Sequence, residues 1–231
     1  MKVLVERNAR QQKVGGLAAL YLALAYVVAM PYFLVLVKYP SVVDPVEKVA
    51  LLVGNHDSMR VMYLISYIIF GIVLAVLALA IYARLRDGAP ILTQAATAVG
   101  LLWAFVLVAS GMIFNAGVAA VVELHGTSPA QAVSTWQAIE PVAQGLGGSG
   151  GELLGGLWVL LVSVAALRTG RLPKVVNWLG VAIGTAGVVS IVPALKDLAY
   201  GFGLLQIVWF VGLGIVMLRA TSRPADPAME S

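Results

Sequence analysis

Six long apolar runs, joined by segments alternately rich and poor in Lys and Arg, take up most of this 231-residue chain. A helix needs about 20 residues, at about 1.5 Å each, to cross about 30 Å of hydrocarbon. The runs at 14–37, 61–83, 91–124, 146–167, 175–195 and 198–218 all reach that length. The expected fold is therefore all-α: a polytopic membrane protein built as a bundle of six transmembrane helices. The third run is too long for one crossing and is expected to tilt, or to continue past the bilayer as an exposed helix.

Composition supports lipid as the solvent. The chain is 61% hydrophobic and 11% charged, whereas a soluble domain is about 45–50% apolar and about 25% charged. Six spans leave little sequence for a soluble domain, so residues 1–220 are expected to form one membrane domain and 221–231 a disordered cytoplasmic tail. The first run, at 24 residues, exceeds the about 7–15 of a secretory signal and reads as a retained span. The absence of Cys excludes disulfides, thiolate chemistry and Cys-bound metals. A net charge of +4 suits basic residues held at a cytoplasmic face better than nucleic acid, which is not expected as a partner.

Orientation follows from where those basic residues lie. Lys2, Arg7, Arg10, Lys13, Arg84, Arg86, Arg168, Arg171, Lys174, Arg219 and Arg223 make up 11 of the 15 Lys and Arg, leaving Lys38, Lys48, Arg60 and Lys196 for the other three connections. By the positive-inside rule both termini are cytoplasmic. On the outer side, Pro129 after Thr127-Ser128 predicts a short surface helix to about Ile139. A tight hairpin is expected around Lys196-Asp197. Trp103, Trp136 and several Tyr (32, 39, 63, 82 and 200) near span ends fit interfacial belts.

One ionisable residue falls inside an apolar run. Glu152 lies 16 residues before Arg168, about 24 Å along a helix, near the outer boundary. Intramembrane carboxylates are costly and commonly mark function. The functional reading is a cation- or proton-linked carboxylate on an outward-facing cavity. The structural reading is a helix-start Glu favoured by the helix dipole. Asn115 and Gln206 are the other candidate ligand-facing polar residues, or else interhelical hydrogen-bonding groups. Gly147, Gly151, Gly155, Gly180 and Gly184 have the spacing of close helix packing, within the chain or in a dimer. The two His, His56 and His125, fall in outer connections, so no span offers an axial haem ligand. No catalytic, metal or cofactor-binding set is recognisable, and no cofactor is expected.

Gly151-Glu-Leu-Leu-Gly-Gly-Leu-Trp158, then Ala166-Leu-Arg-Thr-Gly-Arg-Leu-Pro173 and Leu179-Gly180, resemble the C-terminal half of the multi-pass family called domain of unknown function 4386. Val14-Gly-Gly-Leu-Ala-Ala-Leu-Tyr21 and Leu77-Ala-Leu-Ala-Ile-Tyr82 fit the same pattern. The resemblance implies a six-span fold in a prokaryotic plasma (inner) membrane and carries no activity with it. The functional expectation is a non-enzymatic binding, interaction or structural membrane component. Its partners would be membrane lipids, with a homo-oligomer or another membrane protein as further options. The alternatives are a small permease or channel with an outward-facing site near Glu152, or a lipid-binding or lipid-modifying protein.

Overall fold

The computed structural model describes residues 2–147 and 152–219. The glycine run 148–151, including Gly151, and the tail 221–231 lie outside the described residues. The described chain is helical: α1 Lys2–Pro31, α2 Pro45–Gly54, α3 His56–Tyr63, α4 Phe70–Leu85, α5 Pro90–Thr127, α6 Pro129–Gly147, α7 Leu153–Thr169, α8 Lys174–Val189 and α9 Leu198–Arg219. Two π-helical turns, Tyr32–Leu36 and Leu64–Ile69, extend α1 and join α3 to α4.

Six apolar helices, α1, α4, α5, α7, α8 and α9, close into a ring in chain order. Contacts at two levels show each neighbouring pair to be antiparallel. Gly15 approaches Ala80 while Tyr26 meets Phe70 across α1–α4. Gly100 approaches Ala78 and Trp158, Gly180 approaches Ser163 and Trp209, and Gly203 approaches Met30, each matched by a second contact further along. A Cβ on Gly71 would meet Ala104 and Val108 across α4–α5, one on Gly155 would meet Trp103 across α5–α7, and one on Gly156 would meet Gly184, Gly187 and Val188 across α7–α8. Gly187 meets Phe202 across α8–α9, and Gly16 meets Gly214 and Leu218 across α9–α1. A closed ring of antiparallel neighbours needs an even number of members, and its first and last helices then begin and finish at the same end.

That end is the basic one. Arg84 donates to Gln12 Oε1 at 2.6 Å and, from Nη2, to the Arg171 carbonyl at 3.0 Å. Arg171 returns a hydrogen bond to the Arg84 carbonyl at 2.9 Å and pairs with Asp87 at 3.4 Å. Three of the four Lys/Arg-rich segments are thus joined at one face. Gly170 ends α7 in the left-handed region (φ 64°), a conformation only glycine takes without strain. The α7–α8 turn therefore needs only Arg171-Leu172-Pro173.

Four of the helical segments, Ala9–Leu36, His56–Leu85, Pro90–Thr127 and Gly201–Arg219, are long and apolar enough to cross a membrane. The fourth and fifth expected spans are shorter, 17 residues in α7 and 16 in α8. The fourth starts at Leu153 rather than 146, and Leu146 and Gly147 instead end α6. The fifth stops at Val189, before Pro193, which has no N–H to continue it. The ring's outer wall is greasy: Leu24, Ile72, Leu79, Phe105, Trp178, Leu204 and Val208 are among its exposed side chains. Such a surface in water would be a large association hazard, whereas in hydrocarbon it costs nothing.

The third apolar run is a single helix of 38 residues, about 57 Å long. Its first half belongs to the ring. Its second half leaves the ring and is covered by α6, which extends to Gly147 rather than ending near Ile139, and by α2. α2 starts on an Asp44 cap that accepts from Val46 and Glu47 N–H at 2.9 Å each. This cap has its own core, with Leu52, Met59, Phe114, Val118, Val121 and Trp136 buried.

Four of the aromatics expected in interfacial belts are core residues instead. Trp103 is buried in the ring core and Trp136, Tyr39 and Tyr63 in the cap core. Trp136 can be dry because its Nε1 donates to Tyr39 Oη at 2.8 Å. Tyr39 in turn donates to Glu140 Oε1 at 2.8 Å, and the same oxygen accepts from Lys48 Nζ at 3.0 Å and Gln144 Nε2 at 2.8 Å. Burial, and next the adjacent Glu140 carboxylate, hold the Tyr39 phenol well above its ordinary pKa. The folded state therefore retains a proton that the unfolded chain releases near pH 10, so Tyr39's contribution is complete below about pH 10 and declines as the pH rises. Hydrogen exchange in α6 should accelerate above that pH in the wild type. Tyr39→Phe should flatten the slope, and an unchanged slope would sink this account.

Candidate functional site

The two π-helical turns face one another across a cavity. A π turn places an extra residue in the helix, redirects the side chains beside it and loosens the hydrogen-bond ladder. Phe33 and Leu34 of the first turn and Ser66 and Tyr67 of the second line the cavity. Tyr21 Oη donates to the Ile65 carbonyl at 3.0 Å, tying the second turn to α1. Tyr26 and Met30 of α1, Phe70 of α4 and Trp103 and Leu107 of α5 complete the wall, and Gly147 and Glu152 close one side. The volume is about 320 Å³, at the lower end of the about 300–1,000 Å³ usual for small-molecule sites.

Glycine at 147 gives the cavity part of its room. A Cβ there would lie 3.0 Å from the Tyr67 ring and closer still to Ser110. Ser110 is itself anchored, donating to the Ala143 carbonyl at 2.7 Å. The rings are held from behind as well. Tyr67 stacks on Tyr63 at 4.5 Å between centroids, and Phe70 meets Tyr26 edge-on at 5.5 Å. Toward the basic end, Trp103, Trp158, Trp209 and Phe210 form a continuous buried aromatic layer. Away from that layer, Leu34 is 48% exposed and the adjoining Val35 and Leu36 still more so, which puts the mouth on the ring's outer wall.

Glu152 is thus the expected site residue that lines the cavity. It occupies the cap position of α7, with its carbonyl accepting from Gly156 N–H at 2.6 Å. Its carboxylate does not cap the helix, and no described residue gives it a hydrogen bond or an ion pair. Asn115 lies further along α5, toward the cap, and donates to the Arg60 carbonyl at 3.3 Å. Gln206 is fully buried in α9, and among the described residues neither its Oε1 nor its Nε2 has a partner. Neither residue lines the cavity. Gly155, Gly180 and Gly184 pack against α5, α7 and α9 within the chain.

Sequence reasoning missed the aromatic lining. Tyr26, Phe33, Tyr67, Phe70 and Trp103 come from three separate apolar runs, and no local spacing marks them as neighbours. Pro31, inside the end of α1, was the available local signal, because a proline there opens the ladder just before the first π turn. The two outer His remain apart from the cavity, His56 Nδ1 lying 2.7 Å from the Val53 carbonyl. Among the described residues, no three His, Cys, Asp or Glu side chains gather as a metal site would need. No family model, curated protein or solved structure matches the chain.

Proposed function

We propose that this is a non-enzymatic integral membrane protein that binds a small, largely apolar molecule in the cavity beside Glu152, taken up from the membrane phase. The observation that carries the reading is the cavity itself: a pre-formed, ring-lined space of about 320 Å³ between helices, with one charged group among the described residues. Convergence of apolar lining on one carboxylate is the usual form of a small-molecule site. Leu34 at the mouth favours a guest arriving through lipid. The aromatic layer beyond Trp103 favours binding over conduction, because a permease would need a polar path through it.

In this reading all six ring helices cross a plasma membrane, α7 and α8 as short spans. The Arg84–Arg171 face with both termini is cytoplasmic, and the cap of α2, α5 and α6 stands outside.

The chain has no cysteine, so single-Cys variants test the topology directly. Gly126→Cys and Asp197→Cys should react with an impermeant maleimide added to intact cells, and Lys174→Cys only after lysis. The reverse pattern would invert the protein. For the cavity, the neutral hydrocarbon neopentylbenzene should bind the wild type in nanodiscs, and Ala29→Trp, which fills the space beside Tyr26, should abolish that binding. Equal uptake by both would place the hydrocarbon outside the cavity.

A further inference from the structure

The binding reading leaves the guest's charge unspecified, and the groups around Glu152 determine it. A carboxylate withdrawn from water is costly unless something compensates it. No Lys or Arg lines the cavity. Lys48 is paired with Glu140, and Arg84 and Arg171 bond each other's carbonyls. The start of α7 adds no counter-charge inside the cavity.

The ring faces in the lining have the same electrostatic sign, and Ser66 and the Tyr26 and Tyr67 hydroxyls add only neutral dipoles. Tyr26, Phe33, Tyr67, Phe70 and Trp103 present aromatic rings, whose faces are negative. One carboxylate and five rings attract a positive guest, and the rings also demand an apolar body. A metal ion fits poorly, since Ca²⁺ takes six or more oxygens and Mg²⁺ keeps several waters. Among the described residues no second carboxylate lines this space.

We propose that the cavity is a site for a lipophilic organic monocation, a quaternary or protonated amine carrying an apolar group. The ammonium sits against Glu152 and the ring faces, and the apolar group lies toward Met30 and Leu34. This assignment rests on the binding reading above and adds charge selectivity to it.

Two probes of nearly identical shape separate the claims: benzyltrimethylammonium and neopentylbenzene, which differ by nitrogen in place of carbon and hence by one charge. Their binding to the full chain in zwitterionic nanodiscs is measured by equilibrium dialysis, with empty nanodiscs subtracted. The cation should bind roughly tenfold or more tighter than the hydrocarbon. Glu152→Gln, which keeps the side-chain size, should reduce that ratio to about one while the hydrocarbon still binds. Equal binding of both probes to the wild type, or tighter binding of the hydrocarbon, overturns the charge assignment and leaves the cavity reading standing. Binding of neither overturns both. A cation preference that persists in Glu152→Gln removes Glu152 from the site. The wild-type ratio needs no variant, so it remains decisive if the substitution impairs folding.

Discussion

Replacing Gly156 by valine should stop the α7–α8 hairpin from closing, at a cost of about 3 kcal/mol or more. A Cβ at this position would lie 2.7 Å from Val188 N, 2.8 Å from the Gly184 oxygen and 2.8 Å from Gly187 C. All three are backbone atoms of α8, so no rotamer change relieves the overlap. The two helices would have to separate, and Val159, Val162 and Ile183, now buried, would lose their contacts. Gly203→Ala is the matched control: its Cβ would stand 3.9 Å from Met30 Cε, an ordinary contact. Unfolding in mixed micelles, followed by tryptophan fluorescence, should show a large loss for the first variant and almost none for the second. Indistinguishable curves would mean that close α7–α8 approach is not what holds the ring.

The second large effect belongs to the cap. Glu140→Ala removes the one oxygen that accepts from Tyr39, Lys48 and Gln144. The Lys48–Glu140 pair is mostly buried, at 19% and 13% side-chain exposure. Deleting one member of such a pair leaves the other charge and a buried donor uncompensated, so the cost should be about 2–4 kcal/mol. The loss should be local: amide exchange should quicken in α2 and α6 and stay slow in α7 and α8. Glu140→Leu combined with Lys48→Met should recover most of it, because replacing both charges removes the desolvation penalty as well as the attraction. If the double variant proves weaker than the single one, the pair is stabilising in its own right.

The ring was legible because it is written in a long-range average. Apolar runs of membrane length and alternating Lys and Arg survive errors at single positions, and the basic segments do meet, through Arg84 and Arg171. Of the cap, the start of α6 at Pro129 and the overlong third run were legible, but its packed core was not, for the opposite reason. α6 carries Ala132, Trp136 and Ala143 on its buried face, but Gln131, Ser134, Gln137 and Glu140 dilute the segment below the threshold of an apolar run. Trp136 is satisfied by Tyr39, 97 positions away, so no neighbouring residue marks it as core rather than belt. Glu152 stood out as a carboxylate in an apolar context. Its orientation into a cavity depends on two π turns elsewhere in the chain, which periodicity cannot register. The glycines behaved differently: their close approaches were readable from spacing, although which helix each would meet was not.

Closure of the ring in chain order also has a consequence during synthesis. Each hairpin can pack on its predecessor as it emerges, so most neighbour contacts are local and form early. The α1–α9 seam cannot form this way. Gly16 must wait for Gly214 and Leu218, so until α9 has been made α1 has an open flank. A ribosome stalled before α9 would leave an unzipped bundle, which cellular quality control can distinguish from the finished one by that single missing stave.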